Sequence, residues 1–108
     1  ASGSTNSPFT TPIITNVSIL GPLATSTSTP NDNYKRSAHL RRNTHTNVYN
    51  SVFAGFPTGL LIDGPGAEAN ATNNDLVFRS WVIAGMTSNV AVASGSTWDI
   101  ATWFATNG

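Results

Sequence analysis

The chain has 108 residues, enough for one small domain at most, and its five basic and five acidic side chains give a formal net charge of zero. Charged residues make up only 9% of it, against roughly a quarter in ordinary soluble domains, so no field exists to gather nucleic acid or an anionic membrane. Cysteine is absent, which excludes disulfides and thiolate metal sites, and no apolar run approaches the roughly 20 residues of a membrane span.

Thr, Ser, Asn, Ala and Gly fill the deficit of charge, a composition that suits extended strands and turns better than helices. Ala1–Thr11 is small and polar and reads as a loop. Pro12–Leu20 alternates, with Ile13, Thr15, Val17 and Ile19 on one face of an expected strand, and closes at the turn Gly21-Pro22. Residues 23–34, mostly the run LATSTSTPNDN, form an expected Ser/Thr-rich surface loop. Ser37–Arg42 is a short strand with Ala38 and Leu40 inward, and Thr46–Ala54 a longer one with Val48, Ser51 and Phe53 on its core side. Gly55-Phe56-Pro57 makes a corner, and the apolar strand Gly59–Ile62 stops at the turn Asp63-Gly64-Pro65-Gly66. Ala67–Asn74 reads as a small polar loop, Asp75–Ala84 as a strand carrying Phe78, Trp81 and Ile83, and Val90–Ala93 as a further short strand. Trp98–Phe104 has helical spacing, with Thr97 as cap and Asp99 in the first turn, although its shortness leaves a strand open.

A hexamer recurs through this series: Asn16–Gly21 (NVSILG), Asn50–Gly55 (NSVFAG) and Ser80–Gly85 (SWVIAG), with starts 34 and then 30 residues apart. Such a period marks stacked units, each too small to bury its own apolar face. Alignment puts Val17, Ser51 and Trp81 in one column, Ile19, Phe53 and Ile83 in a second, and the glycines in a third. Asn or Ser at the head of each copy fits a bend that needs left-handed backbone. Columns stacked about 4.8 Å apart describe an all-β parallel solenoid, with the Trp98–Phe104 helix as an end cap. A meandering β-sandwich sharing a weak motif is the alternative.

The run KRSAHLRRN at Lys35–Asn43, the run VYNSVFAGFPTGLLID at Val48–Asp63, PIITNVSILGP at Pro12–Pro22 and the stretch Asn70–Phe78 together cover most of the chain. They resemble a family of large secreted or surface-anchored proteins from Gram-negative bacteria that export cargo by the type IX secretion system. The resemblance implies a right-handed parallel β-helix of pectin-lyase type, several hundred residues long, with residues 1–108 as its C-terminal part. It implies an extracellular or outer-membrane-associated address and lends no firm activity. The start at Ala1 and the stop at Gly108 in mid-pattern also read as a piece of something longer.

Candidate chemistry is sparse. Arg36, Arg41 and Arg42 with Lys35 gather four of the five basic residues; Arg41 and Arg42 either contact an acidic sugar in bidentate fashion or, pointing to opposite sides of a strand, brace a turn Asp or carbonyls. Asp63 and Glu68, with Asn70 around the glycine turn, are the one place where oxygens for Ca²⁺ could gather, and no other cofactor is expected. His39 and His45 lack a third ligand for zinc and read as surface histidines. Ser51 and Ser80 have no nucleophile elbow. Trp81, Trp98 and Trp103 either stack on sugars or are buried. Asn16 and Asn70 match the glycosylation sequon, a weak pattern.

The expected role is therefore a non-catalytic extracellular or cell-surface segment with a structural, adhesive or surface-assembly function. Its expected partners are the remainder of its parent polypeptide or another protein chain, and a surface glycan. The alternative is a carbohydrate-active β-helix in which Arg41 or Arg42 lines a groove that binds or cleaves a polysaccharide.

Overall fold

Each recurrent hexamer begins at a residue with left-handed backbone: φ is 57° at Asn16, 48° at Asn50 and 52° at Ser80. That conformation breaks the strand, bends the chain into a different sheet and shifts side-chain parity, so every long strand expected from alternation becomes two short ones. In the computed structural model, which describes residues 5–107, the first pair is β1 (Ile13–Thr15) and β2 (Ser18–Leu20), followed by β3 (Arg36–Arg41). The second trio is β4 (Asn47–Tyr49), β5 (Val52–Ala54) and β6 (Thr58–Asp63). Helix α1 (Pro65–Thr72) leads to β7 (Val77–Arg79), β8 (Val82–Ala84) and β9 (Ser88–Val92), and helix α2 (Ile100–Asn107) follows.

The nine strands among the described residues form three parallel sheets in the orders β1-β4-β7, β2-β5-β8 and β3-β6-β9. Each pass of the chain thus gives one strand to each sheet. Every pairing is parallel, which a meandering antiparallel sandwich does not allow. Register places Ile19, Phe53 and Ile83 in one row, as the hexamers predict. Ile14-Val48-Phe78, Ala38-Leu60-Val90 and Leu40-Ile62-Val92 form parallel rows. Leu60 and Ile62, in the middle pass, have no exposed surface. Ser51 is buried as expected and acts as a strut: its hydroxyl donates to the Tyr49 carbonyl at 2.8 Å and accepts from the Val17 N–H at 3.2 Å.

Three expectations are corrected. Ile13 and Thr15 do not share a face with Val17 and Ile19; Ile13 is 70% exposed, and the parity change at Asn16 puts Ile14 in the inward row instead. Ala67–Asn74 is not a loop but mostly α1. Gly64, at φ 102°, lets the chain turn out of β6, and Pro65 enters with φ already suited to a first helical position. Ala67 and Ala71, four residues apart, bury a methyl stripe, and the buried Asn70 amide donates to Asn43 Oδ1 at 2.9 Å and the Thr44 carbonyl at 3.0 Å. The C-terminal helix forms, but Asp99 rather than Thr97 caps it, accepting from the Thr102 N–H at 3.1 Å.

The 34- and 30-residue spacings conceal two larger changes. From β2 to β3 the chain takes twelve residues more than from β5 to β6, because residues 21–35 replace a three-residue corner. From β3 to β4 it takes eight fewer than from β6 to β7, where α1 is inserted. Only the difference of four survives in the period. The glycine column holds the corner tight: a Cβ on Gly21 would lie 2.4 Å from the Gly55 carbonyl oxygen, and the Gly21 N–H donates to the Ala54 carbonyl at 2.7 Å.

Because Asn50 is exposed and its role is conformational, Asn50→Gly should change stability by no more than about 0.5 kcal/mol, whereas Asn50→Val should cost about 1–2 kcal/mol. Urea denaturation of the two variants checks this, and equal effects would remove the left-handed bend as the reason for a polar head residue.

Candidate functional site

Ionisable residues concentrate on the outer face of the β3-β6-β9 sheet. In β3, Ala38 and Leu40 turn inward and His39 and Arg41 outward, as alternation dictates. Register sets Arg41 beside Asp63 and His39 beside Leu61, one step diagonal to Asp63. The diagonal partner wins: His39 Nε2 lies 2.7 Å from Asp63 Oδ2, while Arg41 Nε stays 3.9 Å from the same oxygen. Arg36, His39, Thr58 and Asp63 border a shallow hollow of about 360 Å³ with a floor of small residues including Ala91 and Ala93.

The His39 hydrogen bond holds the Asp63 carboxyl below its ordinary value of 3.8, with the charges of His39, Arg41 and Arg36 acting in the same direction. Asp99 is also held low, by hydrogen bonds from the Thr102 side chain and backbone. Both are depressed carboxylates, so their stabilisation is present above the unfolded-state pKa and is lost as pH falls below 3.8 through the folded value.

Arg42 lies beyond the end of β3, with left-handed backbone (φ 64°), so strand alternation does not apply to it. Its carbonyl oxygen would be 2.6 Å from a Cβ on Gly66, which ties this corner to the start of α1. Arg41 and Arg42 nevertheless border one shallow hollow together with His39, Leu40 and Thr44. Asp63, Glu68 and Asn70 each have separate partners. Glu68 Oε1 accepts from the Ser96 hydroxyl at 2.6 Å, and Asn70 holds the Asn43–Thr44 corner. Among the described residues no three His, Cys, Asp or Glu side chains gather as a metal group. His45 stacks on Phe9 at 4.5 Å and is not part of the His39–Asp63 contact. Trp81 and Trp103 are buried, and the Trp103 indole N–H donates to the Ala71 carbonyl at 3.0 Å. Trp98 is half-buried, its ring 5.5 Å from that of Trp103.

Sequence reasoning missed the His39–Asp63 contact. The two residues are 24 apart, and β3 lies on β6 with an offset of 22 rather than 30 or 34. Only the residue pattern of β3 and β6 themselves, Ala-His-Leu-Arg over Leu-Leu-Ile-Asp, carried a signal.

Thermal or urea midpoints should fall as pH drops from 5 through 3. Asp63→Asn should lower stability at pH 6 by less than about 1 kcal/mol, since the pair is partly exposed, and should remove part of the acid-induced fall, as should Asp99→Asn. An unchanged pH profile in both variants would show that neither carboxylate governs acid sensitivity. In comparisons with protein-family models, curated proteins and solved structures, the chain matches none.

Proposed function

We propose that this chain is a segment of a right-handed parallel β-helix, with α2 as its terminal cap, and that it belongs to a large secreted or surface-anchored bacterial protein of the type IX-exported kind. It acts there as a non-catalytic structural, adhesive or surface-assembly component. The observation that carries the reading is the in-register stacking of three passes in three parallel sheets, with apolar rows inside. Its polar side chains support it too: Ser51, Asn70 and Glu68 are spent on struts between passes and corners. The runs at Pro12–Pro22 and Lys35–Asp63 that resemble the exported family supply the address.

A second reading keeps the carbohydrate role, and the hollow beside His39, Arg36 and Asp63 favours it, with Arg41 as the exposed guanidinium for an acidic sugar. Incubating the polypeptide with acidic and neutral glycans decides between the two. The structural role predicts no new reducing or unsaturated ends and no glycan retention that Arg41→Ala abolishes. Either result would replace it with the second reading. Calcium is tested separately: chelation with EDTA should leave the thermal midpoint unchanged, and a clear drop that Ca²⁺ restores, and that Asp63→Asn or Glu68→Gln abolishes, would assign them an ion.

A further inference from the structure

The two ends of the stack are built differently. At one end α2 contacts β7 and β9, buries Ile100 and Trp103, and sets the Phe104 ring edge-on to Trp81 at 5.7 Å. At the other end β1, β2 and β3 form the last strand of each sheet. Burial falls off steeply there. Ile14 is 38% exposed, whereas Val48 and Phe78 in the same row are 3% and 1%. Ile19 and Leu40 are only half-buried beside Phe53 and Ile62.

The backbone of this edge is also uncommitted. The Pro12 carbonyl accepts from the Asn47 N–H and the Asn16 N–H donates to the Tyr49 carbonyl, so even-numbered residues face β4. In a parallel ladder Ile13 and Thr15 then turn their N–H and C=O groups to the open side. Likewise the Val17 carbonyl and Gly21 N–H face β5, which leaves Ser18 and Leu20 turned outward along the edge. Exposed edges are normally blunted by charge or proline. β1 and β2 carry neither, and Leu20 is 78% exposed.

We infer that the β1-β2-β3 edge is a stacking surface that takes one further pass of three parallel strands, supplied by the same polypeptide upstream of this segment. The inference rests on the β-helix reading and deepens it. It continues an interface already present twice in the structure, β4–β6 on β1–β3 and β7–β9 on β4–β6. The incoming pass sets an apolar side chain over each of Ile14, Ile19 and Leu40 and a left-handed residue over Asn16. Residues 23–30 of the inserted loop border a hollow with Pro57 and Gly85–Thr87, toward the capped end. The chain also enters β1 through a corner, with Phe9 stacked on His45, as it enters β4. A pass supplied by the same chain avoids the entropy of association that docking a second copy would cost.

Hydrogen exchange read by mass spectrometry, on the natural polypeptide and on residues 1–108 alone, tests this. Amides in β1 and β2 should exchange at least about ten-fold more slowly in the natural polypeptide, with β4–β6 protected in both. Equally fast exchange at β1 and β2 in both, or a natural polypeptide that begins at Ala1, overturns the inference. Slow exchange in residues 1–108 alone, together with a dimer in sedimentation, also overturns it by giving the edge to a second copy. Loss of protection in β4–β6 as well would bring down the β-helix reading itself.

Discussion

Vertical register between passes is the constraint on which this structure depends. Leu60 and Ile62 lie between Ala38 and Leu40 on one side and Val90 and Val92 on the other, and their full burial requires that each pass align residue for residue with its neighbours. Side chains of a strand alternate, so a slip of one residue would turn Leu60 and Ile62 to solvent and His39 and Arg41 to the interior. The backbone ladder and the apolar rows therefore specify the same alignment. The left-handed residues at Asn16, Asn50 and Ser80 reset parity at the same point of every pass and keep the rows in phase.

Much of this could be read from the amino acids, for identifiable reasons. The hexamers were legible because a left-handed head and a tight glycine corner leave few residue choices, so Asn/Ser and Gly recur visibly. Ile19, Phe53 and Ile83 align because that corner fixes where each strand begins. The parity change at the head residue was not legible from alternation, which treats Ile13 and Ile19 as equivalent. Helix α1 was hidden because alanine and asparagine at helical spacing look like a loop when nothing marks what they pack against. Its buried face meets a corner that only the fold brings near, through Asn70 and the Asn43–Thr44 backbone.

The ionisable face shows a similar boundary. The basic cluster at Lys35–Arg42 is plain in the sequence, but its partner is not, because the first pass differs from the second by an insertion and a deletion that nearly cancel. Once β3 is set on β6, Asp63 falls between Arg41 and His39, and geometry favours the imidazole. One oxygen of the carboxylate considered for calcium, Asp63 Oδ2, is then engaged by His39.

Passes joined only to their nearest neighbours respond to load in a characteristic way. Tension applied along the stacking direction pulls directly on the hydrogen bonds between one pass and the next, which lie along that direction in all three sheets. Failure would spread layer by layer from the end without α2, since Trp103 and Phe104 rivet the other end to Ala71 and Trp81. A stack made this way would lengthen in steps under force and would not release all its length at once.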